Sequence, residues 1–137
     1  MTWAGALDLG GRTDLARLSG VLAGASALVA GNTGAAHLAA AVGTPVVSLF
    51  APVVPPVRWR PHRVPHVLLG DQDAPCRGSR ARECPVPGHP CLSRVAPEEV
   101  VAALNRLVAA ASAPAPAAPH VLVPAGQPAM HSKEGSP

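Results

Sequence analysis

The segment 28–47 constrains the fold of this chain more than any other part of the sequence. It reads as a short apolar strand, a polar turn at Asn32-Thr33-Gly34, a small-residue helix that stops at Gly43, and a second apolar strand. This order predicts a parallel β-α-β unit whose first turn lies at the carboxyl edge of the sheet. Open α/β sheets bind ligands at that edge, because loose backbone N–H groups and the positive helix end face it.

The composition agrees with an α/β fold and excludes several classes of protein. Hydrophobic residues make up 48% of the 137 residues but aromatic residues only 2%, so the core must consist of Leu, Val and Ala. Such a core suits helices packed on a parallel sheet. A net charge of +3, without a basic stripe that contains aromatic residues, argues against a nucleic-acid partner. We expect neither a transmembrane segment nor a signal peptide, and the odd number of cysteines within one loop favours a reducing, cytoplasmic location.

The apolar pattern predicts two β-α-β units in succession, which is half of a doubly wound sheet. The first unit consists of a strand at 6–9, a helix capped by Thr13 that ends at Gly24, and a strand at 27–30. The apolar face of that helix is predicted to consist of Leu15, Leu18, Val21 and Leu22. The second unit continues with a helix from residue 34 or 35 to residue 42 and a strand at 46–50.

The remaining sequence predicts one more strand and one more helix. A Pro-rich loop at 51–65 precedes an edge strand at 67–69, and an irregular loop follows at 71–94. A helix then begins at Pro97, with Glu98 and Glu99 in its first turn. Its predicted apolar face consists of Val100, Val101, Leu104, Leu107 and Val108. The Ala-Pro repeats after it predict a disordered tail, so we divide the chain into a domain at 1–111 and a tail at 112–137.

Two segments contain candidate ligand-binding residues. Asn32-Thr33-Gly34 could bind a phosphate, or it could only cap the helix and form the turn. His37, one turn later, could donate to the same phosphate, although a core histidine bonded to a carbonyl is the commoner arrangement. Arg58, Arg60 and Arg63 flank Trp59 in the Pro-rich loop. They could meet an anionic ligand, but solvated loop arginines are the more common case.

The loop at 71–94 contains a set of metal-ligating residue types. Cys76, Cys84, His89 and Cys91 could converge on zinc, but the close Cys pair typical of zinc sites is absent. We therefore predict no metal and no cofactor. A nucleophilic cysteine is not expected either, because no His/Asp arrangement around a thiol follows from the sequence.

Six segments, Ala25 to Val29 and the five given below, together resemble the family 9 glycosyltransferases, which comprise the ADP-heptose:lipopolysaccharide heptosyltransferases and their relatives. The family pattern at the turn is Asp-Ser/Thr-Gly, two variable residues and His, followed by a small-residue helix. In this chain Thr33-Gly34, His37 and Leu38-Ala39-Ala40-Ala41 match it, and Asn32 stands in place of the Asp. The other segments are Gly11-Arg12-Thr13-Asp14-Leu15, Gly43-Thr44-Pro45-Val46-Val47-Ser48-Leu49-Phe50, the loop Arg82-Glu83-Cys84-Pro85 with Gly88-His89 and Cys91, and Ala96-Pro97-Glu98-Glu99-Val100-Val101. The resemblance covers residues 7–108.

The resemblance implies a Rossmann-like parallel sheet that is a partial C-terminal half of a GT-B fold, the half that binds the nucleotide-diphospho-sugar donor. By residue match, the backbone of Thr33 and Gly34 and the side chain of His37 would hold the diphosphate of an ADP-heptose-like donor. Thr13 would lie near the nucleoside. Asn32 stands where the family has an Asp that contacts sugar hydroxyls, so the sugar preference of this chain is left open.

The acceptor half of the family fold, with its general base, has no counterpart in this sequence. We therefore assign no catalytic residue here and expect that the isolated chain transfers no sugar to a glycan or lipid-linked acceptor. Two alternatives stay open. One is a non-catalytic nucleotide-binding fragment or interaction module, and the other is a zinc-loop protein.

Overall fold

The computed structural model describes residues 5–112. In chain order it contains α1 (Leu15–Ala23), β1 (Leu28–Gly31), α2 (Gly34–Ala41), β2 (Val46–Leu49), α3 (Pro56–Trp59), β3 (His66–Leu69), α4 (Pro90–Ser93) and α5 (Pro97–Ser112). The predictions for the first four residues and for the tail from residue 113 onward lie outside the described residues. No helix within 5–112 is long and apolar enough to cross a membrane.

The three strands form one parallel sheet in the order β1-β2-β3. Leu28 pairs with Val46, and Val46 pairs with His66, so the strands start level and end level. The predicted α/β class and parallel sheet are therefore confirmed, as is the unit β1-α2-β2. Because the strands end level, the three segments that follow them leave the sheet at the same edge.

Both faces of the sheet are covered by helices, which explains why the residues of its central strand are buried and mostly apolar. Val46 packs with Leu22 of α1 and Ala36 and Ala39 of α2. The next residue, Val47, points to the opposite face and packs with Ala103 and Leu107 of α5. Val46, Val47 and Ser48 are all fully buried, as expected for a parallel strand with a helix on either side.

The predicted strand at 6–9 is wrong. Asp8 folds this segment into a turn: its Oδ1 accepts from the Gly10 N–H at 2.8 Å, and the Arg12 N–H donates to the Leu9 carbonyl at 3.0 Å. The first of the two predicted β-α-β units is therefore absent from the described structure. As a result the sheet ends at β1, and Leu15 and Val21 of α1 are 72% and 46% exposed rather than part of an apolar face.

The cap of α1 is Asp14 and not Thr13. Asp14 has the extended backbone of an N-cap, and its Oδ1 accepts from the Arg17 N–H at 2.8 Å, which satisfies one of the free amides of the first turn. The predicted end of α1 at Gly24 is confirmed. A buried hydroxyl also holds this end, since Thr44 Oγ1 donates to the Leu22 carbonyl at 2.6 Å.

Helix α5 begins where the sequence predicts. Glu99 Oε2 accepts from the Ala96 N–H at 2.9 Å, so this carboxylate is a helix-start residue. The face against the sheet consists of Ala103 and Leu107, with Val100 and Leu104 packed around them. Val101 was predicted to belong to this face and is 55% exposed instead, because Ala103 takes the central position.

Candidate functional site

The turn between β1 and α2 leaves the start of α2 without a side-chain cap. Thr33 occupies the N-cap position with φ −139° and ψ 173°, but its side chain makes no capping hydrogen bond. Its hydroxyl instead donates to the Gly31 carbonyl over 3.5 Å, a long contact. Thr33 therefore does not cap α2 through its side chain within the described residues, and although the Ala36 N–H donates to the Thr33 carbonyl at 3.1 Å, the Gly34 and Ala35 amides keep their capacity to bind an anion.

Gly34, the first residue of α2, has no steric reason to be glycine within the described structure. A Cβ built at this position meets no heavy atom within 4 Å, and its backbone is not in the left-handed region. Alanine would favour the helix here, because glycine loses more conformational freedom on folding. The open space lies beside the uncapped amides, where an anionic ligand would approach the backbone.

His37 is an exposed side chain on the first turn of α2. The interpretation as a core histidine bonded to a carbonyl is wrong, because its ring makes no hydrogen bond within the described residues. Its contact is with Trp59, whose ring centroid lies 6.5 Å away at an interplanar angle of 61°, an edge-to-face arrangement. The imidazole nitrogens therefore have capacity to bond a ligand, and the ring position is fixed from one side.

Trp59 reaches α2 because α3 folds the Pro-rich loop into one helical turn. Proline at the first positions of α3 sets its backbone, and the Arg60 N–H closes the turn on the Pro56 carbonyl at 2.9 Å. Trp59 at the end of this turn remains 49% exposed. The aromatic residue of the loop after β2 therefore lies next to the histidine of the segment after β1.

A cleft of about 440 Å³ opens beside Trp59, between the loops that follow β2 and β3. The residues that line it are Val53, Val54, Pro55, Arg58, Trp59, Arg80 and Ala81. Arg58 therefore faces a concave site, whereas Arg60 and Arg63 do not line it. Arg80 could not be placed at this cleft from the sequence, because the loop at 71–94 has no periodic pattern.

The two remaining residues of the predicted site, Thr13 and Asn32, are half-buried and make no contact with His37 or Trp59 that the structure records within the described residues. Thr13 lies half-buried directly before α1, and no hydrogen bond within the described residues joins it to the turn before α2. The side chain of Asn32, at the carboxyl end of β1, is also half-buried and makes no hydrogen bond within this part of the chain. Helices α1 and α2 pack against each other, which brings the two segments to the same face of the sheet.

The cysteines occupy the interior and the surface of their loop. Cys76 and Cys91 are buried together with Ala74 in a small core, while Cys84 is exposed. Burial raises the pKa of the Cys91 thiol, and the neighbouring thiols of Cys76 and Cys84 add to the shift. His89 is exposed at the start of α4. Within residues 5–112 no three His, Cys, Asp or Glu side chains are arranged to hold a metal ion.

Comparison with known proteins gave two matches and one negative result. The family described as glycosyltransferase family 9 (heptosyltransferase) matches residues 2–89 of the chain. Lipopolysaccharide heptosyltransferase 1 of Pseudomonas aeruginosa is 44% identical over 73 residues, which are 53% of this chain and 20% of that protein. The chain therefore spans about a fifth of the length of this curated relative. No solved structure matches the chain significantly.

Proposed function

Because the chain belongs to glycosyltransferase family 9, whose description names heptosyltransferases, we propose that it binds the nucleotide-diphospho-sugar donor of a sugar transfer reaction. The donor would be ADP-heptose-like, and the sugar would pass to a lipopolysaccharide-type glycan or lipid-linked acceptor. In this proposal the sheet is part of the C-terminal, donor-binding half of a GT-B fold. A cytoplasmic location is part of the same proposal.

The observation that supports this proposal most is the uncapped start of α2 at the carboxyl end of β1. A diphosphate needs several donors in a small volume, and the first amides of a helix provide them together with the positive end of its dipole. α1 provides a contrast within the same molecule, since Asp14 already occupies its start. At the start of α2 the Gly34 and Ala35 amides have no partner within the described residues, and Gly34 leaves the approach open.

Each residue of the turn has a role in this proposal. The backbone N–H groups of Thr33 and Gly34 would hold the diphosphate, and a ring nitrogen of His37 would donate to it from the side. Asn32 would bond sugar hydroxyls through its amide, and Thr13 would lie near the nucleoside. These contacts would stabilise the negative charge that grows on the diphosphate as the sugar leaves, which is an electrostatic contribution to the reaction.

The general base that deprotonates the acceptor hydroxyl has no candidate among these residues. We therefore propose that the isolated chain binds the donor and does not transfer its sugar. One feature favours an alternative, a nucleotide-binding module without catalysis. Asn32 retains the size and the acceptor of the family's Asp but lacks its charge, which weakens the contact to sugar hydroxyls.

Calorimetric titration of the purified chain with ADP, GDP and UDP tests the proposal. We expect saturable binding of a nucleoside diphosphate with one site per chain. If the chain binds both ADP and ADP-heptose, and ADP-heptose with similar or higher affinity, the donor function is supported. If it binds ADP but not ADP-heptose, the nucleotide-binding module without catalysis is favoured. Absence of all nucleotide binding, with stoichiometric zinc uptake instead, would exclude both.

A further inference from the structure

We propose that the cleft beside Trp59 is a second anion site, which takes the phosphate of a phosphorylated sugar. This inference rests on the proposed function for the identity of the neighbouring site and on independent observations for the cleft itself. The cleft contains two arginines, Arg58 and Arg80, and one half-exposed aromatic side chain.

The cleft is built by the backbone and not by chance contacts of surface side chains. The loop after β3 runs along the loop after β2, with the Gly78 N–H donating to the Pro52 carbonyl at 2.8 Å and the Arg80 N–H to the Val53 carbonyl at 2.9 Å. Arg80 has a positive φ of 54°, a conformation that is uncommon for a residue other than glycine. The two hydrogen bonds hold this conformation and direct the Arg80 side chain to the cleft.

The charge of the cleft is of one sign. Arg58 and Arg80 contribute two guanidinium groups, and no carboxylate is among the described residues that line the cleft. Asp73 of the same loop is engaged elsewhere, since its Oδ1 accepts from Arg77 Nη1 at 2.8 Å. Guanidinium groups bind phosphate through paired hydrogen bonds, and a volume of about 440 Å³ lies in the range of small-molecule sites.

Trp59 connects the cleft to the diphosphate site without merging the two. Its ring lines the cleft and also contacts His37 on α2. A nucleotide-diphospho-sugar has its charges on the diphosphate, and the start of α2 already satisfies these in the proposed function. The arginines on the other side of Trp59 are therefore suited to a different anionic group. A sugar that bears a phosphate fits both the cations and the aromatic ring, since sugars pack their apolar faces on such rings.

The fluorescence of Trp59 gives a direct readout of this cleft. The chain has two tryptophans, so Trp3→Phe leaves Trp59 as the single emitting residue. In this background we expect a saturable change of emission with glucose 6-phosphate and none with glucose at the same concentration. The response to glucose 6-phosphate should persist when ADP saturates the chain, because the two ligands occupy different sites.

Arginine variants locate the binding. Arg58→Gln and Arg80→Gln should each raise the Kd for glucose 6-phosphate about tenfold and leave the Kd for ADP unchanged, because each removes charged hydrogen bonds to phosphate. Arg106→Gln, an exposed arginine on α5, is the matched control and should change neither. Circular dichroism of each variant checks that it is folded.

Three results would overturn the inference. The first is that glucose 6-phosphate gives no saturable response, and the second is that glucose and glucose 6-phosphate give equal responses. The third is that ADP displaces glucose 6-phosphate, which would place both arginines in the donor site. Failure of the proposed function has a different signature. ADP would then not bind the unchanged chain, while glucose 6-phosphate would still bind in a manner that depends on Arg58 and Arg80.

Discussion

His37 and Trp59 lie in edge-to-face contact, with ring centroids 6.5 Å apart, although 21 residues and one strand of the sheet separate them in the chain. The contact joins the segment after β1 to the loop after β2 at the carboxyl edge. It places a free imidazole at the first turn of α2 and an aromatic wall at the start of a basic cleft.

The first prediction concerns His37. We expect His37→Gln to weaken ADP binding about tenfold, because a hydrogen bond to a charged phosphate is worth more than a neutral one. His62→Gln, an exposed histidine in the Pro-rich loop, serves as the control and should leave ADP affinity unchanged. Calorimetric titration measures both. Equal affinities of the two variants would remove His37 from the site.

The two helix caps give a second prediction. Asp14→Ala should lower the free energy of unfolding by about 1 kcal/mol, because the Arg17 N–H loses its acceptor. Thr33→Ala should change the stability by less than about 0.5 kcal/mol, because its side chain makes no capping bond. Urea unfolding followed by circular dichroism measures both values. A loss at Thr33 as large as that at Asp14 would show that Thr33 is an ordinary cap.

The sequence predicted the turn at Asn32-Thr33-Gly34 well, and the reason is local. A short apolar strand, polar turn residues and a helix that ends at Gly43 are each readable from neighbouring residues. The strand at 6–9 was wrong for a reason that is also physical. A segment of four residues forms a strand only when a neighbouring strand pairs with it, and no strand of the described sheet pairs with residues 6–9. Asp8 instead accepts from the Gly10 N–H and forms a turn.

The cleft could be predicted only in part. Trp59 and Arg58 follow the strand next to β1, and the carboxyl ends of parallel strands meet at one edge, so their proximity to His37 was within reach of the sequence. Arg80 was not, because its position depends on backbone hydrogen bonds between two irregular loops. Such pairings have no period and no composition that reveals them.

A third prediction uses two buried hydroxyls with opposite environments. Ser48 Oγ is buried without a hydrogen-bond partner within the described residues, whereas Thr44 Oγ1 donates to the Leu22 carbonyl. Ser48→Ala should therefore raise the free energy of unfolding by about 1 kcal/mol, and Thr44→Val should lower it by about 1 kcal/mol. Urea unfolding of the two variants measures the contrast. Destabilisation by Ser48→Ala would show that this hydroxyl has a partner in solution.

A fourth prediction concerns pH. The pKa of the Cys91 thiol is raised in the folded chain, so the folded state holds this proton more tightly than the unfolded state. The stability it contributes is complete below the ordinary thiol pKa and is lost as the pH rises from there through the raised value. Cys91→Ala should flatten this alkaline decline of the free energy of unfolding, and Cys84→Ser, which removes only the smaller contribution of an exposed neighbouring thiolate, should flatten it less. An unchanged alkaline slope in Cys91→Ala would contradict the assignment.

Titration of ADP into Gly34→Val and Gly20→Val distinguishes a diphosphate site at the start of α2 from an ordinary helix start. Both glycines are exposed, and a Cβ at either position meets no heavy atom of the described residues within 4 Å, so neither substitution is blocked by a steric clash. We predict that ADP binds the unchanged chain and Gly20→Val with equal affinity. Gly34→Val should bind ADP at least tenfold more weakly, because the valine side chain fills the space before the α2 amides. Equal affinity of the two variants, or no ADP binding by the unchanged chain, would contradict a diphosphate site at this turn.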